Sequence, residues 1–495
     1  MSDLRQVPVF TTDGPADWHR VHPISPLVRG WLAVVAVMFI FGRNSLEGAF
    51  GGPHGFDPSR TPVMIILAIL GAAVIVFGIS FFLSWRFTRY QVTDTHVHIN
   101  TGVIFRQQRR ANIDRVQAID VVQPLLARIF GLAELKFEVA DGGKSAMKLS
   151  FLKLDEAKRL RAAILARAAG VVIDPASPQL VVEAHEQPIL AVPPGRIVAS
   201  VLFSSMSATF LFILLGILGL ILWTGQLGIV VGLIPFFLAM GAAYWRRITG
   251  DMNFKVALSP DGVRLHYGML ETRAQTIPPG RVQAVGIHQG LIWRLFGWYR
   301  VHVNVAGYGT GGSENGGRTV LLPVGGLPDV MAVLALVFPD PGVDNPLEVF
   351  TAGLRGPGNR EGFTHSPRQA VWIDPLAWRY NAYRATSTAL LTRRGFFSRY
   401  LDVVPHERTQ SLSLHQGPLM HALGLVDFEL HSTLGPIKPV VHHMALAAGL
   451  KLFDEQAARA ATARRIHPDR PWALPQPLGD LATDELRTKE QNGGD

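Results

Sequence analysis

The sequence predicts an α+β fold class: three copies of a small bent antiparallel sheet, each capped by a C-terminal helix, hung on about four transmembrane helices in two hairpins. Three observations predict it. An eighteen-residue stretch recurs without a gap, as RVQAIDVVQPLLARIFGL from Arg115, RVQAVGIHQGLIWRLFGW from Arg281 and RTQSLSLHQGPLMHALGL from Arg408. A glycine stands thirteen residues before each copy, at Gly102, Gly268 and Gly395. No charged side chain occurs from Ile197 to Trp245. A fixed period means one structural unit reused, and the uncharged run exceeds the roughly 20 residues that cross a bilayer core once.

Taken in order, residues 1–26 are mixed in charge and proline-bearing, unlike a signal peptide, and are expected to be a cytoplasmic segment. Residues 27–85 read as a first transmembrane hairpin, with spans at Gly30–Phe41 and Pro62–Trp85. The shorter span needs Leu27 to Gly30, with Arg29 snorkelling, to reach across. Residues 196–245 read as a second hairpin, turning near Thr224-Gly225-Gln226. No ionisable side chain marks an ion path inside the secure spans, and the serines from Ser204 can bond back to their own helix. Gly228 and Gly232 form a G-x-x-x-G that chance explains equally well.

The first module, residues 86–169, shows the local logic best. Phe87 to Ile99 has strand character with a turn at Thr93-Asp94-Thr95. Asn100-Thr101-Gly102 makes a hairpin turn in which the glycine supplies positive φ. Val103–Arg109 and Val116–Val122 are strands, and Pro124–Phe130 is a short helix with Gly131 just past its end. Strands at Leu135–Ala140 and Ala146–Phe151 flank a Gly142-Gly143 turn. Leu154–Ala168 is an amphipathic helix, capped by Asp155, with Leu160, Ile164 and Leu165 on one face. A second module spans residues 246–338 and a third 376–463. Residues 170–195 and the Gly/Pro-rich 339–375 read as linkers, and 464–495 as a disordered tail.

Charge sets the expected orientation. Arg29, Arg86, Arg89, Arg196, Arg246 and Arg247 flank the outer ends of the hairpins, whereas the connecting loops carry no net positive charge. The positive-inside rule then puts the modules and both termini in the cytoplasm, at the inner membrane. Trp85 and Tyr244-Trp245 are placed to anchor at headgroup level. Net charge is +9 and hydrophobic content 48%, as expected of a membrane protein carrying water-exposed modules. The absence of cysteine excludes disulfides and thiolate chemistry.

The repeated Arg-x-Gln, the hydrophobic-patterned strand and the helix-Gly ending, alternating with hairpin spans, resemble the bacterial pleckstrin-homology-like (PH) domain family of the membrane-flanked type. The resemblance covers Leu27 to Ala460 and implies three PH-like bent β-barrels of about seven strands, each with a C-terminal helix. It implies no defined activity. The third copy departs from the pattern, with His421 in place of Arg128 and Arg294.

Four motif positions are identical in all copies: Arg115, Arg281 and Arg408; Gln117, Gln283 and Gln410; Gln123, Gln289 and Gln416; Gly131, Gly297 and Gly424. Arginine and glutamine together could hold a phosphate or carboxylate. Repetition with the fold favours pairing of buried backbone instead, and the glycines read as helix C-caps. Arg106, Arg109 and Arg110 form a basic run, absent from the second copy, that could touch anionic lipid. His96 and His98 share a strand face, and His442-His443 would face opposite ways on a strand; neither pair makes a metal site. Tyr308–Gly317 lacks the Gly-Lys-Ser/Thr of a phosphate loop, and no catalytic motif is found. The reading is a non-enzymatic membrane scaffold without cofactors. Its partners are the lipid bilayer and other proteins or further copies of itself, not nucleic acid. An anionic-lipid sensor acting through the first module is the alternative.

Overall fold

The computed structural model describes residues 18–25, 78–79, 81–93, 95–102, 106–113, 116–139, 147–168, 186–226, 232–260, 262–278, 280–306, 319–433 and 435–466. Most of the first hairpin, Arg115, Gly228, the Tyr308–Gly317 loop and the tail from 467 lie outside them. The chain divides into two units, residues 1–183 with 271–273, and 184–270 with 274–495.

In the first unit, β1 (His19–Arg20), β2 (Arg89–Val92), β3 (His96–Thr101) and β4 (Gln107–Asn112) form an antiparallel sheet in that order. β5 (Val116–Gln123), β6 (Leu132–Val139) and β7 (Met147–Lys153) form a meander, with α1 (Leu125–Ile129) between β5 and β6. α2 (Leu154–Ala168) closes the module, with Leu160 and Ile164 buried. Asp155 lies inside its first turn, not at the cap, where its charge still suits the helix dipole. Trp85, expected at the headgroups, donates its indole N–H to the Val21 carbonyl at 3.0 Å, so its polar edge is used within the module.

The second unit opens with β8 (Gln187–Ala191) and α3 (Pro194–Leu202). Here hydropathy overshoots. Residues 196–202 belong to the folded module, not to a span: Ile197, Ser200 and Val201 are buried, and Arg196 pairs with Asp329 at 2.9 Å. The chain breaks at Phe203–Ser204, where Ser204 caps α4 (Ser205–Thr224) by accepting from the Ser207 N–H. α4 has 20 residues, and its most apolar 18-residue window has a mean hydropathy of 2.4 and is wholly unburied by the described protein. At about 1.5 Å per residue it spans roughly 30 Å, one bilayer core. Gly225, at φ 67°, ends it in the left-handed conformation at the expected turn. α5 (Ile234–Asp251) returns with Arg246, Arg247 and Asp251 in its last turns. Among the described residues α4 is the one helix long and apolar enough to cross a membrane, so four such helices are not seen.

Next come β9 (Lys255–Ser259), β10 (Gly262–Tyr267) and β11 (Thr272–Ile277), neighbours in the order β11-β10-β9-β8. β12 (Val282–Gln289), α6 (Trp293–Phe296), β13 (Tyr299–Val305), β14 (Val320–Gly325) and α7 (Leu327–Val337) complete the second module. The presumed linker is folded. α8 (Pro346–Arg355) buries Val349, Phe350 and Leu354, and β15 (Thr364–His365) joins a sheet. Arg393 secures this segment, donating to the carbonyls of Ala352, Gly358 and Tyr380 at 3.2, 3.0 and 2.8 Å. These partners are distant in sequence, which is why composition alone suggests a loose connection.

The third module adds β16 (Ala382–Ala385), β17 (Ala389–Arg394), β18 (Arg399–Pro405), β19 (Ser411–His415), α9 (Pro418–Ala422), β20 (Leu425–His431), β21 (Val440–Ala445) and α10 (Leu446–Ile466). The second and third modules do not close as separate barrels. β14, β13 and β12 of the second module continue through β18 into β17, β16 and β15 as one seven-stranded antiparallel sheet. β19, β20 and β21 form a smaller sheet of their own. Ala284, Leu390 and Val404 on the large sheet pack with Val426, Phe428, Val441 and Leu452 in a single core. Fully burying side chains of this kind contributes about 1.5–3 kcal/mol each, so the two modules are joined by apolar burial as well as by a ladder.

Candidate functional site

The repeated motif is built the same way in each copy. Gln123, Gln289 and Gln416 donate to the carbonyls of Leu132, Trp298 and Leu425 at 3.0, 3.2 and 2.8 Å. Each amide reaches around the short helix to the residue after the motif glycine. Gly131, Gly297 and Gly424 have φ of 65°, 62° and 66°, the left-handed geometry that a side chain opposes. The carbonyls of Gly131 and Gly424 then accept from Leu154 and Leu446, the first residues of the closing helices. Gln117 and Gln283 sit where β5 and β12 slip register against their partners, a β-bulge in both copies. Gln410 lies before β19, where its N–H donates to the His431 carbonyl at 2.9 Å. Gln283 is buried and bonds the Arg281 carbonyl, and Arg408 keeps a buried Nε without a partner. None of the described side chains at these four motif positions lines the cavity considered below.

The arginine that changes to histidine in the third copy has a definite partner in the second. Arg294 donates to the carbonyls of Phe396 and Phe397, the latter at 2.7 Å, holding the β17–β18 turn of the next module. In the third copy, His421 bonds back to Gln416 at 3.1 Å. Gly395, in that turn, has φ 90°, and a Cβ there would stand 2.1 Å from the Ser398 carbonyl oxygen.

A second bulge recurs just after the motif, at Glu134, Arg300 and Asp427. Bulges re-aim side chains, and the three copies use this one differently. Glu134 pairs with Lys148 at 3.8 Å. Asp427 accepts from the His443 N–H at 2.7 Å and from the His442 ring at 3.1 Å. His443 has φ 56°, so strand alternation fails and the two rings lie 5.7 Å apart rather than on opposite faces. Among the described residues neither this pair nor His96 with His98 belongs to a metal-ligand cluster.

Arg300 turns instead into a cavity of about 520 Å³. Its floor is two rungs of the large sheet. His302, Gly286, Asp402 and Thr392 are successive neighbours across β13, β12, β18 and β17. Arg300, His288, Tyr400 and Arg394 form the next rung. Cross-strand neighbours share a face, so the floor exists only because the third module's β18 pairs with β12. A side chain at Gly286 would close it: a Cβ would meet Asp402 Oδ1 and Ile437 Cγ1, each at 2.9 Å. The other walls come from the first turns of α4, with Ser204, Ser205, Ala208 and Thr209, and from Arg247 near the end of α5.

Electrostatically the cavity is basic. Arg300 pairs with Asp251 and Arg394 with Asp402 at 3.4 Å, while Arg247 makes no ion pair among the described residues. Burial, with Arg300 and Arg247 nearby, holds the His302 imidazole down to about 4. Burial and the same arginines, with Arg394, do the same to His288. Both rings are therefore neutral at pH 7. Burial lowers Arg300 to about 9, with Arg247 adding to the effect, and raises Asp402 to about 6 against the pull of Arg394. His288 Nε2, His302 Nδ1 and Arg394 Nε are buried without hydrogen-bond partners. No local pattern in the sequence marks this site, because its rungs come from both modules.

Comparison with known proteins agrees with this architecture. The family described as Bacterial PH domain matches residues 33–168, 201–339 and 367–459. The UPF0699 transmembrane protein YdbT of Bacillus subtilis (strain 168) is 27% identical over 282 residues, 52% of this chain. The match covers 57% of that relative's length.

Proposed function

Because this chain belongs to the bacterial PH domain family, matched over more than half its length, and is similar to a transmembrane protein, we propose that it is a non-enzymatic scaffold that assembles proteins at the membrane. The observation that carries this reading is the unequal use of one strand. β12 is covered on its outer edge by β18, whereas its counterpart β19 ends a three-stranded sheet. An exposed strand edge is a template for an added strand, and Ser411 to His415 offers a short polar-apolar alternation for it. The partner is a protein contributing an extended segment, from another polypeptide or a second copy. In the proposed arrangement the chain is multi-pass in the inner membrane, with its modules and termini cytoplasmic.

Crosslinking in intact cells, extraction in detergent and identification of what is retained tests the scaffold reading. Retained partners should disappear when Ser411→Lys and Ser413→Lys put lysines on the β19 edge. Clean monomers from the unaltered chain would remove the reading. A membrane-impermeant amine reagent tests orientation: exposed Lys438 and Lys451 should stay unlabelled in sealed cells.

A second reading, an anionic-lipid sensor through Arg106, Arg109 and Arg110, has one observation in its favour. All three arginines are exposed, the last two on edge strand β4. Against it, Arg109 and Arg110 are consecutive on a strand and face opposite ways, with Arg110 opposite His98. Loss of acidic-vesicle binding on Arg109→Glu with Arg110→Glu would favour it.

A further inference from the structure

We propose that the cavity between the second and third modules binds a phosphate-type oxyanion, carried by an anionic phospholipid headgroup or free in solution. The inference does not depend on the scaffold reading, since it concerns another face of the fold.

Four observations converge on an anion. Three guanidinium groups line one cavity, and Arg247 has no counter-ion among the described residues. Three buried nitrogens, on His288, His302 and Arg394, lack partners. Unmet buried nitrogen is costly, about 1–3 kcal/mol for each group left unpaired, and a multi-acceptor oxyanion satisfies several at once. α4 begins at the cavity wall with Ser204 as its cap, so the positive end of a 20-residue helix adds to the field. Finally, the one carboxylate on the lining among the described residues, Asp402, already faces Arg394, which leaves the positive excess uncancelled.

The surroundings also admit a lipid. The cavity lies at the foot of the apolar helix α4, and Phe203, Leu291 and Phe397, all exposed large hydrophobics, stand on its lining. A headgroup phosphate on the rungs with its glycerol end toward these rings needs no charge inside the bilayer.

The test uses the full chain in phosphatidylcholine nanodiscs, with phosphatidylglycerol added in one arm and inorganic phosphate in the other. Binding is followed by native mass spectrometry and by the shift in thermal midpoint. Saturable one-to-one uptake is expected in at least one arm. Arg247→Gln, which breaks no described ion pair, should weaken it roughly tenfold or more, the loss of one charge-assisted bond. Ala208→Trp, which fills the cavity from the α4 side without altering charge, should abolish it. Uptake of phosphatidylglycerol that phosphate does not compete identifies a lipid headgroup, and uptake of phosphate alone identifies a free oxyanion. No saturable uptake in either arm would overturn the proposal. So would uptake by both variants, folded by their thermal midpoints, at unaltered affinity.

Discussion

β12 and β19 are the same strand of the repeat placed in two settings. Both carry the motif, both lead through a short helix into a left-handed glycine, and each has, at its end or just past it, a glutamine that bonds around that helix. β12 is buried in the middle of a seven-stranded sheet, while β19 lies at the margin of three strands. Gly286 on β12 has become Ser413 on β19, and buried His288 has become His415, which is 64% exposed. The difference teaches that the motif specifies a turn and a helix cap, not a neighbour. What covers the strand is decided outside the motif.

The most damaging change should be Gly286→Val. Its Cβ would meet Asp402 and Ile437 at 2.9 Å, between strands that carry the junction. Overpacking of this kind costs about 3 kcal/mol, and thermal unfolding in detergent should show it. Ser413→Val, the same position on the open strand, should change the midpoint little. Equal losses at the two positions would mean that β18 does not lock β12.

Acid should act next. The folded imidazoles of His288 and His302 lie at about 4, below the free value of 6.5. Their contribution is whole above pH 6.5 and is lost as pH falls toward 4. Asp402 runs the other way, raised from 3.8 to about 6, so its contribution is present below 3.8 and lost as pH rises through 6. Facing these three are the guanidinium groups of Arg247, Arg300 and Arg394. Two imidazoles outweigh one carboxylate, so the thermal midpoint should fall between pH 6.5 and 4. Asp402→Asn should steepen that fall, and His288→Gln should flatten it.

Asn304 gives a milder contrast. Its amide donates to the Ile437 carbonyl at 2.9 Å and accepts from the Ile437 N–H at 3.1 Å, tying β13 to the segment before β21. Asn304→Ala removes both bonds and leaves buried backbone unpaired, a loss of about 2 kcal/mol by chemical denaturation. The counterpart His431→Ala, on a partly exposed strand end, should cost under about 0.5 kcal/mol.

Much of each module was legible because its determinants are local. Gly102, Gly268 and Gly395 all have positive φ, and the motif glycines end their helices, because a turn or cap is decided within a few residues. What was not legible is non-local. Hydropathy could not separate α3 from α4, since a packed helix with buried Ile197 and Val201 is as apolar as a span. The ordered α8 segment depends on Arg393, whose carbonyl partners lie up to 41 residues away. The cavity is the extreme case: its rungs draw on four strands from two modules, and no one copy of the repeat contains it.

The smallest change tests the sequence departure at His421. Arg294 holds the Phe396 and Phe397 carbonyls of the following module, whereas His421 bonds Gln416 of its own. Arg294→His should therefore loosen the β17–β18 turn. Because the group is partly solvated, the cost is about 1 kcal/mol, less than the 1.5–3 of a fully buried charged bond. Hydrogen exchange should rise at Phe396 and Phe397 before global stability falls. His421→Arg, the reverse swap, gains no partner and should leave exchange and unfolding as they were. If the reverse swap stabilised the chain instead, the end of the third module would already have a neighbour waiting for that guanidinium, most simply the protein strand proposed for β19.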